Sequence, residues 1–247
     1  GYTFSGWNTN SSGTGTDYAE GATYTANTAV TLYAKWTPLQ CGEYDVTFTY
    51  NGSSVTYGTV LNPTTSECWL DRNLGATQVA ISSTDANAYG HLFQWGRLDD
   101  GHQIRTSATT ATLADTDTPT HGNFITNSSS PRDWRSDNNN NRWNANPIVN
   151  NPCPSGWRIP TEAEWDAERL SWSSNNSAGA FASPLKLTLA GSRNNGNGSL
   201  DYVGSFGYYW ASSVGGTNSR GLYFGSSNAI MYSFSRAGGF TVRCLKD

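Results

Sequence analysis

The chain has 247 residues, a formal net charge of −4 and only 14% charged side chains, against 13% aromatics that include ten Trp. That balance excludes a disordered chain, which needs high charge and few aromatics, and offers no basic surface for nucleic acid. No apolar run approaches the ~20 residues of a membrane-spanning helix, so no membrane insertion is expected of this chain.

Its length suits one or two domains. Short β-branched and aromatic runs punctuated by Gly and Asn predict a β-rich chain with long loops. The opening at "GYTF" rather than at Met reads as a fragment or a mature form, with any targeting signal out of view.

Residues 1–38 read as a separate module. "GYTFSGW" sets Tyr2, Phe4 and Trp7 along one strand, and "AVTLYAKW" sets Val30, Leu32 and Ala34 on one face of another. Gly, Ser, Thr and Asn turns lie between them, and Pro38 marks the boundary. "GYTFSGWNT", "GTDYAEGATYT" and "VTLYAKWTP" resemble, in order and spacing, about the last half of a Listeria–Bacteroides repeat, a small β-rich unit of bacterial surface proteins. The resemblance implies a spacer.

A second domain is expected over 39–247. "YDVTFTYNGSSVTYGTV" alternates Val46, Phe48 and Tyr50 with polar residues up to Asn51-Gly52. It predicts a hairpin, because Asn-Gly supplies the positive φ values that a tight turn needs. "ECWLDRNLGA" and "YGHLFQWGR" read as buried anchors. Residues about 98–146 form a polar insertion containing "DNNNNRWNAN", pinned by Phe124, Trp134 and Trp143. It reads as a solvated surface segment rather than as a sugar or calcium site. In "CPSGWRIPTEAEWDAERL", Thr161 and Glu164 have capping-box spacing. A helix follows over Thr161–Leu170, with Ala163, Ala167 and Leu170 as the packing stripe. "LKLTLAGSR" reads as a strand.

The four cysteines, Cys41, Cys68, Cys153 and Cys244, contain no CxxC pair and so lack zinc spacing. They are either buried free thiols or disulfides. Bridged, they allow three pairings, of which Cys41 with Cys68 and Cys153 with Cys244 is preferred.

"CPSGWRIPTEAEW", "LAGSRNNGNGSLDYVGSFGYYWASS" and "GGFTVRCLKD" resemble the Fibrobacter major paralogous domain family. That family is similar to the formylglycine-generating-enzyme type of C-type lectin fold. The resemblance covers about residues 41–247 and implies an α+β, C-type lectin-like fold whose C-terminal ~45 residues form an antiparallel sheet.

The last ~50 residues also resemble the variable region of proteins rewritten by diversity-generating retroelements, which mutate template adenines. Asn codons of the form AAY reach many residues but never Lys, Glu, Gln, Met or Trp. None of those five stands at Phe206, Tyr208, Gly221, Tyr223, Gly225, Ile230, Tyr232, Ser233, Phe234, Ser235 or Gly238. These are the candidate ligand-binding positions, with the ordinary strand residues of such a fold as the alternative. Met231 and Arg236 are read as scaffold. Phe206, Tyr208, Tyr223, Ile230, Tyr232 and Phe234 are expected to be exposed and contiguous. Trp210, Leu222, Phe224 and Val242 are expected to be buried.

The function this implies is a ligand-binding receptor or adhesin, extracellular on a cell or virion surface. Its ligand is an unspecified protein or glycan on another cell or phage host. No cofactor or metal is expected. A formylglycine-generating-enzyme-like enzyme would need a reactive cysteine pair near the C-terminus, where only Cys244 lies, and His91, His102 and His121 read as solvated. A calcium-dependent lectin would need "EPN", "QPD" or "WND" motifs, which are absent. Asp99, Asp100, Asp115 and Asp117 read as solvent-facing. A structural adhesin domain without diversification is the third alternative.

Overall fold

The computed structural model describes residues 2–247, which divide into two compact units, 2–44 and 45–247. Strand outweighs helix, 31% against 7%, so the chain is β-rich with two short helices.

The first unit is a three-stranded antiparallel sheet. β1 (Tyr2–Asn8) lies between β2 (Asp17–Tyr18) and β3 (Tyr33–Pro38). Phe4 is ringed by Trp7 at 5.0 Å and Trp36 at 5.6 Å. Asn8 replaces a hydrophobic core at the turn. Its side chain is buried and bonds to Gly13, Gly15 and Asp17, and it accepts from the Asn10 and Gly15 amides. β3 begins at Tyr33, so Val30 and Leu32 precede the strand they were expected to occupy.

In the second unit, β4 (Asp45–Tyr50) and β5 (Ser53–Asn62) form the expected hairpin, with φ of 48° at Asn51 and 75° at Gly52. β6 (Glu67–Leu70) and the pairs Leu245–Lys246 and Trp157–Arg158 extend that sheet to five strands. Cys153 and Cys244, each just before one of those pairs, are bridged with Cα atoms 5.8 Å apart, as expected. Cys41 and Cys68 are likewise disulfide-bonded, and no cysteine is free.

Helix α1 (Glu162–Leu170) carries the full capping box of Thr161 and Glu164. Its buried face is not the expected one. Ala163, Ala167 and Leu170 are exposed, Leu170 by 69%. The residues that pack are Trp165 and Glu168, with Trp172 just beyond the helix end. Glu168 is accommodated because Asn62 and the Trp172 indole donate to it, and burial raises its pKa. Helix α2 (Ser177–Ala182) follows.

"LKLTLAGSR" is not a strand except at Ser192–Arg193. Leu185, Leu187 and Leu189 are buried as alternation suggests, but no neighbour strand takes their amides. Leu187 donates to Ala180, Thr188 to the Tyr209 hydroxyl and Leu189 to Ser83 instead.

The C-terminal region forms a three-stranded antiparallel sheet, β7 (Gly207–Gly215), β8 (Asn218–Phe224) and β9 (Ala229–Phe234), in that order. One face carries Tyr209, Ala211, Leu222, Phe224 and Ala229. It closes the core against Trp69, Trp165, Trp172 and the three leucines. Burying one such Phe or Leu is worth roughly 1.5–3 kcal/mol. Trp210, Leu222, Phe224 and Val242 are all buried, as expected.

The polar insertion is not merely solvated surface. Phe124, Trp134 and Trp143 are buried, and within it Asp133 is fully buried between Arg142 at 3.0 Å and Arg236 at 3.4 Å. Arg236 also donates to the backbone carbonyls of Asn138, Asn139, Gly216 and Asn218 and to the Asn140 side chain, and it stacks over Trp95 at 4.7 Å. Its scaffold role follows from those bonds. Met231, partly buried against the core, is scaffold too.

Candidate functional site

Strand alternation puts every second residue of β7–β9 on the face away from the core. Cross-strand register then builds three rows there. Tyr208, Tyr223 and Ile230 stand side by side, then Trp210, Gly221 and Tyr232, then Ser219 and Phe234. Phe206 stacks on Tyr223 at 5.2 Å, Tyr208 lies 5.1 Å from Tyr223, and Phe234 lies 5.8 Å from Tyr208 and 5.3 Å from Tyr232. Phe206, Tyr208, Tyr223, Ile230, Tyr232 and Phe234 are therefore contiguous.

Their exposure is uneven. Ile230 and Tyr232 are 38% and 56% exposed, while Phe206, Tyr223 and Phe234 are half-buried. Tyr208, expected to be exposed, is buried at 9%. The reason is Phe240, which comes from outside the sheet and covers the Tyr208 ring at 5.0 Å and the Trp210 ring at 4.3 Å. Trp210 thus shares the outer face with Tyr208 and is buried there, its indole donating to the Phe93 carbonyl at 2.7 Å.

The three candidate glycines are buried also. At Gly225 a Cβ would lie 2.5 Å from the Phe206 ring. At Gly221 it would lie 2.9 Å from the Tyr209 carbonyl and 3.3 Å from the Phe234 ring. Each is a seat for an aromatic ring. Gly238 sits 3.5 Å from Phe240 by the same measure.

Beside the aromatic rows lies a depression of about 310 Å³. Its walls include the candidates Tyr208, Ser233, Phe234, Ser235 and Gly238, joined by Phe240, Tyr202, Asn194, Asn195 and Asp201. The last five were not anticipated. Tyr202 carried a local signal, an aromatic set in the Gly/Ser-rich stretch "SLDYVGS". It adopts φ of 59°, an uncommon conformation for a non-glycine residue, and is 58% exposed. Burial, then the neighbouring Tyr223, Tyr202 and Asp201, push the Tyr208 pKa up, and burial with Tyr202 raises that of Tyr223. Both phenols stay neutral and can donate or accept a hydrogen bond.

The groups of the rival readings are committed elsewhere. His102 is fully buried rather than solvated, with Nε2 accepting from the Gln94 amide at 3.0 Å and Nδ1 held 2.6 Å from Asp100. Asp100 also binds Arg97, and Asp117 binds Arg135, both at 2.6 Å, so neither acid simply faces solvent. His91 is half-buried and bonds the Tyr50 hydroxyl at 2.8 Å in a second depression of about 410 Å³. That depression offers little to a ligand. Tyr57 is taken by the Gly75 amide and Arg72 is clamped by Asp71.

These features define a β-rich protein with a strand-built aromatic face over a tightly packed core. Residues 1–35 match the Listeria-Bacteroides repeat domain, so the N-terminal unit carries that repeat. No curated protein and no solved structure matches the chain. Among the described residues, no helix is long and apolar enough to cross a membrane.

Proposed function

We propose that Asp45–Asp247 is a C-type lectin-like ligand-binding domain, similar to the variable protein of a diversity-generating retroelement, with the N-terminal repeat as its spacer. It is displayed on a cell or virion surface and binds a protein or glycan of another cell or phage host. It works as a receptor or adhesin, not as an enzyme.

One observation carries this reading. The candidate positions, dispersed over Phe206 to Phe234 in sequence, converge into one aromatic face, while Leu222, Phe224 and Ala229 between them pack into the core. An exposed apolar patch of this kind marks a binding surface. Tyr supplies large, rigid contact area at low entropic cost, as in antibody loops. The bridged and buried Cys153–Cys244 pair counts against the reactive-cysteine enzyme.

The test is at the DNA level. Sequencing beyond the 3′ end of the gene should reveal a second copy of the last ~50 codons. Differences between the copies should be confined to template adenines and concentrated in the codons for Phe206, Tyr208, Tyr223, Ile230, Tyr232 and Phe234. Differences spread over all four bases, or falling in the codons for Leu222 and Phe224, would refute diversification.

A further inference from the structure

We propose that β4 is a self-pairing edge, through which two copies of this chain join antiparallel into one continuous sheet of ten strands, five from each. This edge belongs to a different sheet from the aromatic face, so the pairing neither needs nor alters the function proposed above.

β4 is the last strand of the five-stranded sheet. The direction of its main-chain groups follows from the register. Asp45 stands opposite Gly58, whose carbonyl accepts from the Asp71 amide on the far side of β5. Asp45 and Gly58 therefore exchange no bonds with each other, and the bonds to β5 fall to Val46, Phe48 and Tyr50. The N–H and C=O groups of Asp45, Thr47 and Thr49 point out of the sheet, and all three residues are exposed. A row of this kind is a template for another strand, and proteins ordinarily blunt it with Lys, Pro, a bulge, shortness or a cover. Other edges in the chain are treated that way. β3 carries Lys35 and ends at Pro38. The Trp157–Arg158 edge is two residues long. Arg169 and Arg220 donate to the carbonyls of Ala229 and Met231 in β9. β4 runs for six residues with no Lys, Arg or Pro, and its pairing with β5 has no bulge.

The occupant that fits is the same strand reversed. With a two-fold axis through Thr47, that residue meets its own copy, Asp45 meets Thr49 of the second copy, and Val46 meets Phe48. The three outward residues of each copy then all give and take one main-chain bond. Opposed side chains of an antiparallel pair share a face. The half-buried Val46 and Phe48 of both copies therefore cover one another beside Tyr57, which Phe48 already touches at 5.2 Å. The threonines pair on the opposite face. Asp45 is the one charged residue of β4, and this register sets it against a hydroxyl and not against its own copy. A closed two-fold pair uses up both edges and goes no further. The contact is smaller than the roughly 1,200–2,000 Å² of a lasting complex, so the dimer is weak, with a Kd between about 10 μM and 1 mM.

The experiment is sedimentation equilibrium of the full chain from about 10 μM to 1 mM. The weight-average mass should climb from that of one chain towards that of two. Thr47→Pro removes an N–H that faces away from β5, so it should spare the β4–β5 ladder and abolish the dimer. Two lysine variants test the register. Thr47→Lys sets like charges face to face across the axis and should weaken the dimer about 3- to 10-fold. Thr49→Lys faces Asp45 of the other copy and should tighten it about 2- to 10-fold. Should Thr47→Pro fail to fold, the opposite signs of the two lysine variants still decide. A chain that stays monomeric to about 1 mM, which would leave the edge to an extended segment of another protein, overturns the proposal. So does an undiminished dimer in Thr47→Pro, or a change of the same sign in both lysine variants.

Discussion

Adjacent side chains on the three-stranded sheet carry opposite duties, and single substitutions separate them. Phe224 is fully buried, packed on Trp172 at 5.6 Å and Tyr209 at 5.7 Å, so Phe224→Ser should destabilise by ~3–5 kcal/mol. Tyr232 lies one strand away, 56% exposed, and Tyr232→Ser should stay within about 0.5 kcal/mol. Chemical denaturation of the two variants reads the difference. The histidines set a pH response. Burial lowers the pKa of His91 and of His102 to about 4, below the ordinary value near 6.5. A depressed histidine contributes stability that is complete above the unfolded pKa and is lost as protons bind the unfolded chain more readily. The melting temperature should therefore decline as pH falls from about 6.5 towards 4. In His91→Gln, whose amide can still meet the Tyr50 hydroxyl, the decline should be shallower. Equal slopes in the two proteins would mean that His91 does not titrate as its burial requires.

At the scale of elements, helix α1 shows what a sequence does and does not specify. Its start was legible, because Thr161 and Glu164 satisfy each other's backbone amides whatever the surroundings. Its buried face was not. Ala163, Ala167, Leu170 and Trp165, Glu168, Trp172 both follow helical spacing, and the second stripe was disguised by a glutamate whose partner, Asn62, lies 106 residues away. Trp165→Ala should thus destabilise by ~3–5 kcal/mol, Thr161→Ala by ~1 kcal/mol through loss of the cap, and Leu170→Ala hardly at all. Urea titrations of the three order them. A large effect at Leu170 with a small one at Trp165 would restore the apolar stripe. The β7–β9 sheet was legible for the same local reason, since alternation assigns Leu222 and Phe224 to one face and Tyr223 to the other. Burial of Tyr208 was not, because it depends on Phe240, which arrives from a separate strand. "LKLTLAGSR" alternates like a strand, yet strand formation also needs a neighbouring strand, which sequence spacing does not report.

For the whole molecule, the proposed function divides stability and diversity between the two faces of one sheet. The core face is braced from a distance. The Cys153–Cys244 bridge closes a separation of 91 residues and fixes the last strand to the segment before α1. Replacing both by Ser should lower stability by about 2–4 kcal/mol, readable as a shift in denaturation midpoint. The outer face has no such bracing at its exposed positions, and the account requires that they change together without loss of the fold. The most direct measurement is the thermal midpoint of the combined variant Tyr223→Ser, Ile230→Ser, Tyr232→Ser, set beside Phe224→Ser alone. The account predicts that the triple variant melts within a few degrees of the wild type, while the single core variant falls by many degrees. A triple variant that melts as low as Phe224→Ser would contradict it, because the aromatic face would then be packing and not a surface held ready for a ligand.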